Sequence, residues 1–197
     1  MSGTWPTTPA PARITWRSTA PTRVSVSHSL VRQARTRGAQ RFSFAATWPP
    51  MPPSEFRPVW AFALAQRGQA ETFTWVVPQC APRGDWGGSP VVDGAAEAGY
   101  ALSVRGLTAG ATALAGDFLQ VAGHSKVYVV TADATADGSG LAELAIYPAL
   151  MATPADGAAI TVRDIAWTLA LAADVQETEM TPGVLHSYGA EFVEVPG

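Results

Sequence analysis

The stretch Ser54–Pro78, reading SEFRPVWAFALAQRGQAETFTWVVP, carries the one strong helix signal of the chain and the strand that follows it. Ser54 is a good N-cap, and the spacing predicts a helix over Glu55–Arg67, with Pro58 tolerated because it falls in the first turn. Phe56, Val59, Trp60, Ala63 and Leu64 recur at helical spacing, so they are expected to form one apolar face. Gly68 is placed to end the helix. Glu71–Val77 then alternates, with Phe73, Trp75 and Val77 on one side, and Pro78 closes it because proline cannot donate to a ladder. One helix set among strands predicts a mainly β domain with the helix laid on its sheet.

Working outward, the same period-2 pattern recurs on both sides. Ile14 and Trp16 alternate with polar neighbours. Val24, Val26, His28 and Leu30 face one way, while Arg23, Ser25, Ser27 and Ser29 face the other. Phe42 and Phe44 share a face of Gln40–Thr47, and the run Trp48–Pro53 stops that strand. Met1–Ala12, rich in Thr, Pro and Ala, reads as an extended arm that could lie along a neighbour. Arg83–Pro90 reads as a linker or long turn. Beyond it, short β-like runs at Tyr100–Arg105, Asp117–Val121, Lys126–Thr131, Leu141–Tyr147 and Ala159–Val162 are separated by Gly or Asp-Gly turns. The closing strands, from Ile165 through Trp167, Leu169 and Leu171 to Tyr188–Val195, are expected to return to the first sheet. The fold class that follows is mainly β: an antiparallel sandwich or open sheet with one α-helix, plus an inserted small antiparallel barrel or sandwich. The expected division is an arm over 1–12, a discontinuous β-domain over 13–83 and 161–197 with helix 55–67, and an inserted β-domain over 84–160.

Composition narrows the function classes. Of 197 residues, 47% are hydrophobic and 15% charged, as in a folded protein. The longest apolar runs, Trp60–Ala65 and Ile165–Ala173, are too short to span a bilayer, and the N-terminus lacks the pattern of a signal peptide. No membrane partner is expected. A lone cysteine, Cys80, excludes an internal disulfide. Charge is polarised: residues 1–83 hold ten Arg against Glu55 and Glu71, while residues 84–197 hold Arg105, Lys126 and Arg163 against fourteen acids. Opposite charges so separated along a chain pair its own strands, or face neighbouring copies.

Candidate chemistry is sparse. Asp133-Ala134-Thr135-Ala136-Asp137-Gly138 copies the opening of an EF-hand loop, yet Leu144 stands where the bidentate Glu is needed. It reads instead as a hairpin turn. His28, His124 and His186 are scattered, so no metal or other cofactor is expected. Cys80, between Pro78 and Pro82, has no partner motif for a nucleophile, and no nucleophile elbow, phosphate loop or dinucleotide fingerprint occurs. An enzyme is not expected. Arg32, Arg35, Arg37 and Arg41 precede Phe42 and Phe44, a combination that single-strand binders use. The acidic remainder of the chain and a core-facing pair of Phe side chains favour a subunit contact over a specific nucleic acid. These four arginines are the candidate inter-subunit residues.

The order of elements in residues 22–83, with Trp60–Gly68 followed by Thr72–Pro78, resembles the distal tail proteins of phages, the lambda-like minor tail protein M group. Tyr188–Val195 is similar to that family's last strand, and Ala115–Val121 through Lys126–Val130 looks like modules of larger phage tail-tip proteins. The family often carries a Gly-Asp-Gly-Tyr turn in its first hairpin, where this chain has His28–Gln33. The resemblance implies a structural subunit of the virion tail tip, assembled in the host cytoplasm. Its partners would be itself in a ring, usually a hexamer, the tail tube protein and the tip hub. The alternative is a carbohydrate- or host-surface-binding module, with Trp86, Tyr100 and Tyr128 as stacking faces.

Overall fold

The computed structural model describes residues 3–36, 38–78, 80–94, 97–181 and 185–196. In chain order, the first segment forms β1 (Arg13–Thr19), β2 (Thr22–Val26), β3 (Arg32–Thr36), β4 (Arg41–Thr47), α1 (Pro53–Ala65) and β5 (Phe73–Val76). The middle segment adds β6 (Gly88–Val92), β7 (Ala101–Leu107), β8 (Thr112–Ala113), β9 (Phe118–Val121), β10 (Val127–Val130), β11 (Ala134–Thr135), β12 (Ala142–Tyr147) and β13 (Ile160–Thr161). β14 (Ala166–Leu171), β15 (Thr178–Thr181) and β16 (Leu185–Glu194) complete the chain. The protein is mainly β, with antiparallel ladders.

Two compact units are present: Met1–Trp75 with Thr168–Val195, and Val76–Trp167. The units divide at Trp75/Val76 and Trp167/Thr168. The turn-rich segment from Arg83 is hydrogen-bonded to Asp117 of the middle unit, and Ile160–Thr161 pairs with β9 there.

In the discontinuous unit the sheet order is β1-β4-β16-β14-β5, with β15 paired to the start of β16. Alternation decides which faces are buried. Phe42, Phe44 and Ala46 of β4, Phe73 and Trp75 of β5, and Phe192 of β16 all point into one core. The helix packs by Phe56, Val59 and Ala63. It begins and ends two residues before the expected 55–67, with Pro52 at the N-cap and no side-chain cap, so Ser54 lies inside the first turn. Pro53 at the first position supplies a preset φ and needs no donor partner. Arg67 and Gly68 both take positive φ and terminate the element. Leu64, expected on the buried face, is 53% exposed. Trp60 is only partly buried, stacking on Phe56 at 5.6 Å and meeting Tyr188 edge-on at 5.8 Å.

Residues 3–12, the described part of the expected arm, are tied to the sheet near Trp5. Trp5 is 1% exposed, ringed by Trp48, Phe62, Phe73 and Phe192 at centroid distances of 4.7 to 5.7 Å. Its backbone continues the sheet: Trp5 N donates to Thr74 O at 2.7 Å, and Thr74 N to Gly3 O at 3.0 Å. One buried Trp among rings outweighs the propensity of a Pro- and Thr-rich segment to stay loose.

In the middle unit the order β13-β9-β10-β12-β7-β6 nearly closes into a barrel. Val91 bridges Ala159, Val92 N donates to Ala158 O, and Gly157 N donates to Val92 O, joining the two edges. Arg105 on β7 reaches Asp93 at 2.8 Å and Asp156 at 2.6 Å across that seam. Leu102, Val104, Leu119, Val121, Leu144 and Ile146 fill the interior.

Candidate interaction surfaces

One part of the discontinuous unit departs from its packing. β2 and β3 pair only with each other, apart from the main sheet. Every described residue from Arg17 to Ala39 is exposed. The tip is well made without outside help. Ser27 Oγ accepts from Val31 N at 3.2 Å, Leu30 N donates to Ser27 O at 2.9 Å, and Leu30 holds a positive φ. The expected long strand through His28 and Leu30 thus ends at Val26, because these serines turn the chain. The hairpin carries exposed apolar surface: Val24, Val26, Leu30 and Val31 are 46%, 57%, 84% and 58% exposed.

Arg32 and Arg35 lie on this hairpin and are exposed, and Arg41 opens β4, where Thr19 opposes it. Arg37 lies outside the described residues. Register adds Arg23, which the sequence reading left out of the set. Arg23 stands directly opposite Arg35, with Ser25 opposite Gln33, so the two guanidinium groups share one face. Alternation alone puts Arg23 on a polar face, but only the pairing register brings it against Arg35. No acid pairs with Arg23, Arg32 or Arg35 among the described residues.

A second projection is formed by β15 and the first residues of β16, with Thr178 opposite Tyr188 and Thr181 opposite Leu185. Glu177 and Glu179 are exposed and line a groove with Thr47, Ser187 and Gly189. Met180 and Val175 nearby are 65% and 73% exposed.

Other candidate chemistry is accounted for by structure. Cys80 is nearly buried, and burial pushes its thiol up to about 12, so it stays protonated and unreactive at neutral pH. Asp133 accepts from Ala115 N at 2.8 Å, and Asp137 from Ser139 N at 2.7 Å and Leu141 N at 3.0 Å. Both carboxylates therefore fix turns. Among the described residues no three His, Cys, Asp or Glu side chains gather as a metal site. His124 Nδ1 meets Tyr128 Oη at 3.1 Å, and His186 stacks on Phe56 at 4.2 Å. Phe42 and Phe44 are buried, so the arginines near them have no stacking platform beside them. Trp86 and Tyr128 belong to the barrel core, leaving Tyr100 as the exposed member of the proposed glycan-stacking set. Among the described residues no helix is long and apolar enough to cross a membrane.

Residues 79–165, nearly the whole barrel unit, match the family model described as distal tail protein pb9, B domain. No curated protein matches the chain. That match falls on the segment read as an insertion and is consistent with the phage distal tail protein family suggested by residues 22–83 and 163–195.

Proposed function

We propose that the chain is a distal tail protein whose copies close into a ring, a hexamer, at the tail tip; the match of residues 79–165 to a distal tail protein domain supports a structural role in the virion tail. The ring joins the last tail-tube ring to the tip hub, and it assembles in the host cytoplasm. The observation that carries this reading is the Thr22–Thr36 hairpin, a formed β-ladder with exposed valines and with arginines that pair with no acid among the described residues. The hairpin runs on from the β1–β4 ladder, and its exposed apolar side chains form a surface that another subunit can cover. Unlike surfaces meeting head to tail make closed rings when the rotation closes.

Native mass spectrometry and light scattering of the purified protein, alone and with its tail-tube protein, test the reading, with immunolabelling of virions to place it. A ring mass and label at the tail tip are expected. Protein that stays monomeric at high concentration, and beside the tube protein, overturns it.

A further inference from the structure

We propose that the arginine-bearing hairpin of one copy docks on the acidic β15–β16 hairpin of the next copy, with Arg23 and Arg35 meeting Glu177 and Glu179. This rests on the ring reading and specifies its interface.

Two observations lead here independently. First, Arg23 and Arg35 oppose each other across an antiparallel pair, and like charges in that position destabilise the ladder. Their face, shared by Ser25 and Gln33, holds no acid among the described residues. A hairpin that keeps such a pair is completed by an anionic surface. Second, the acid is on the same chain but out of its own reach. Thr19 opposes Arg41, so the basic hairpin continues beyond the Arg41 end of β4. Gly189 opposes Thr47, so residues 185–188 of β16, paired to β15, continue beyond the other end. The seven residues of β4 separate those ends, six steps or roughly 20 Å at about 3.3 Å each. An ion pair cannot bridge that distance within one copy. The two projections at opposite ends of one sheet are complementary between copies, the arrangement that a heterologous contact requires.

Chemistry divides the work. Glu177 and Glu179 line one groove, as Arg23 and Arg35, opposed across β2 and β3, share one face. Val31 at the tip of the first hairpin and Met180 and Val175 around the second supply apolar contact at the margin. Exposed ion pairs add little affinity each, so the charges set register and partner choice while apolar burial supplies adhesion. Nucleic acid is the less suited anion, because the acidic complement is built into every copy and the protein carries a net charge of −3.

The experiment is a charge swap in the full chain: R23E/R35E, E177R/E179R, and the quadruple variant combining them. Each substituted side chain is exposed, so thermal melts should match the wild type. Each double variant should raise the concentration for half-assembly about tenfold or more, and the quadruple variant should return near the wild-type value. Going from about 0.05 to 0.5 M salt should weaken the wild type in the same direction. A wild type that forms rings while neither double variant shifts the midpoint overturns this interface and leaves the ring standing. Double variants that shift it without rescue in the quadruple variant also overturn the pairing. Wild type that never assembles removes the ring and the interface together. A single-stranded oligonucleotide that binds wild type but not R23E/R35E, with assembly unchanged, assigns the arginines to nucleic acid instead.

Discussion

At the scale of single residues, Asp117 does most to fix the barrel's entry. Its carboxylate accepts from Arg83 N at 2.6 Å, Gly84 N at 3.0 Å, Leu114 N at 2.9 Å and Trp86 Nε1 at 2.8 Å. Four donors are satisfied by one buried side chain, and its removal strands them. Asp117→Ala should therefore destabilise the protein by about 3 kcal/mol or more, measured by chemical denaturation. Burial alone would raise this carboxyl's pKa, but the hydrogen bonds from Leu114, Arg83, Trp86 and Gly84 outweigh it and hold it below the ordinary range. A folded pKa below the unfolded one stabilises fully above the unfolded value of about 3.9, and that contribution is lost as pH falls through the folded value. Asp117→Asn should accordingly flatten the acid limb of a stability-against-pH curve while lowering the plateau above pH 5. Gly84 explains why the donor can approach: a Cβ there would collide with Thr112 O. None of this was legible in the sequence, where Arg83–Pro90 reads as a linker. Its glycines and prolines signal irregular backbone, but a carboxylate thirty residues away decides that the backbone is held.

At the scale of elements, the strands were more legible than the ends of the helix. Alternation placed Phe42, Phe44, Phe73 and Trp75 on core faces because a strand has only two sides and one of them is apolar. The helix offered a broader apolar arc than its contact uses, so Leu64 could be assigned to the buried face and yet lie at its margin. Two substitutions separate the cases. Phe56→Ala should cost about 3–5 kcal/mol, the range for truncating a buried aromatic. Leu64→Ala should stay within about 0.5 kcal/mol, as exposed substitutions do. Urea denaturation of both variants makes the comparison; equal losses would show that the helix buries Leu64 in solution. Trp5 marks the opposite error. Its neighbours Thr4, Pro6, Thr7 and Thr8 give no period, so only its size hinted that it fills a ring of four aromatic partners.

At the scale of the whole molecule, sequence composition changes after Pro82, and the sheets change at Trp75/Val76. The chain leaves the first unit from β5 and re-enters it on β14, and those two strands are neighbours in one sheet. A unit entered and left by adjacent strands can be removed without tearing the sheet that carries it, because a short bridge spans neighbouring strands about 5 Å apart. The middle unit has its own interior, with Leu102, Val104, Leu119, Val121, Leu144 and Ile146 enclosed by its six-stranded sheet. Domains with a core of their own and both termini close together tolerate such excision. Two variants follow from this. Replacing residues 78–164 by a short Gly-Ser bridge should leave a protein with a cooperative thermal melt. Residues 76–167 alone should also melt cooperatively, since the Asp117 hydrogen bonds and the Val91–Ala159 seam lie wholly within them. Circular dichroism and limited proteolysis read both outcomes. A remainder that is unfolded while the barrel folds would make the first sheet dependent on its insertion. The hairpin would then be presented by a scaffold that forms only when the barrel does, and ring assembly would follow barrel folding in time.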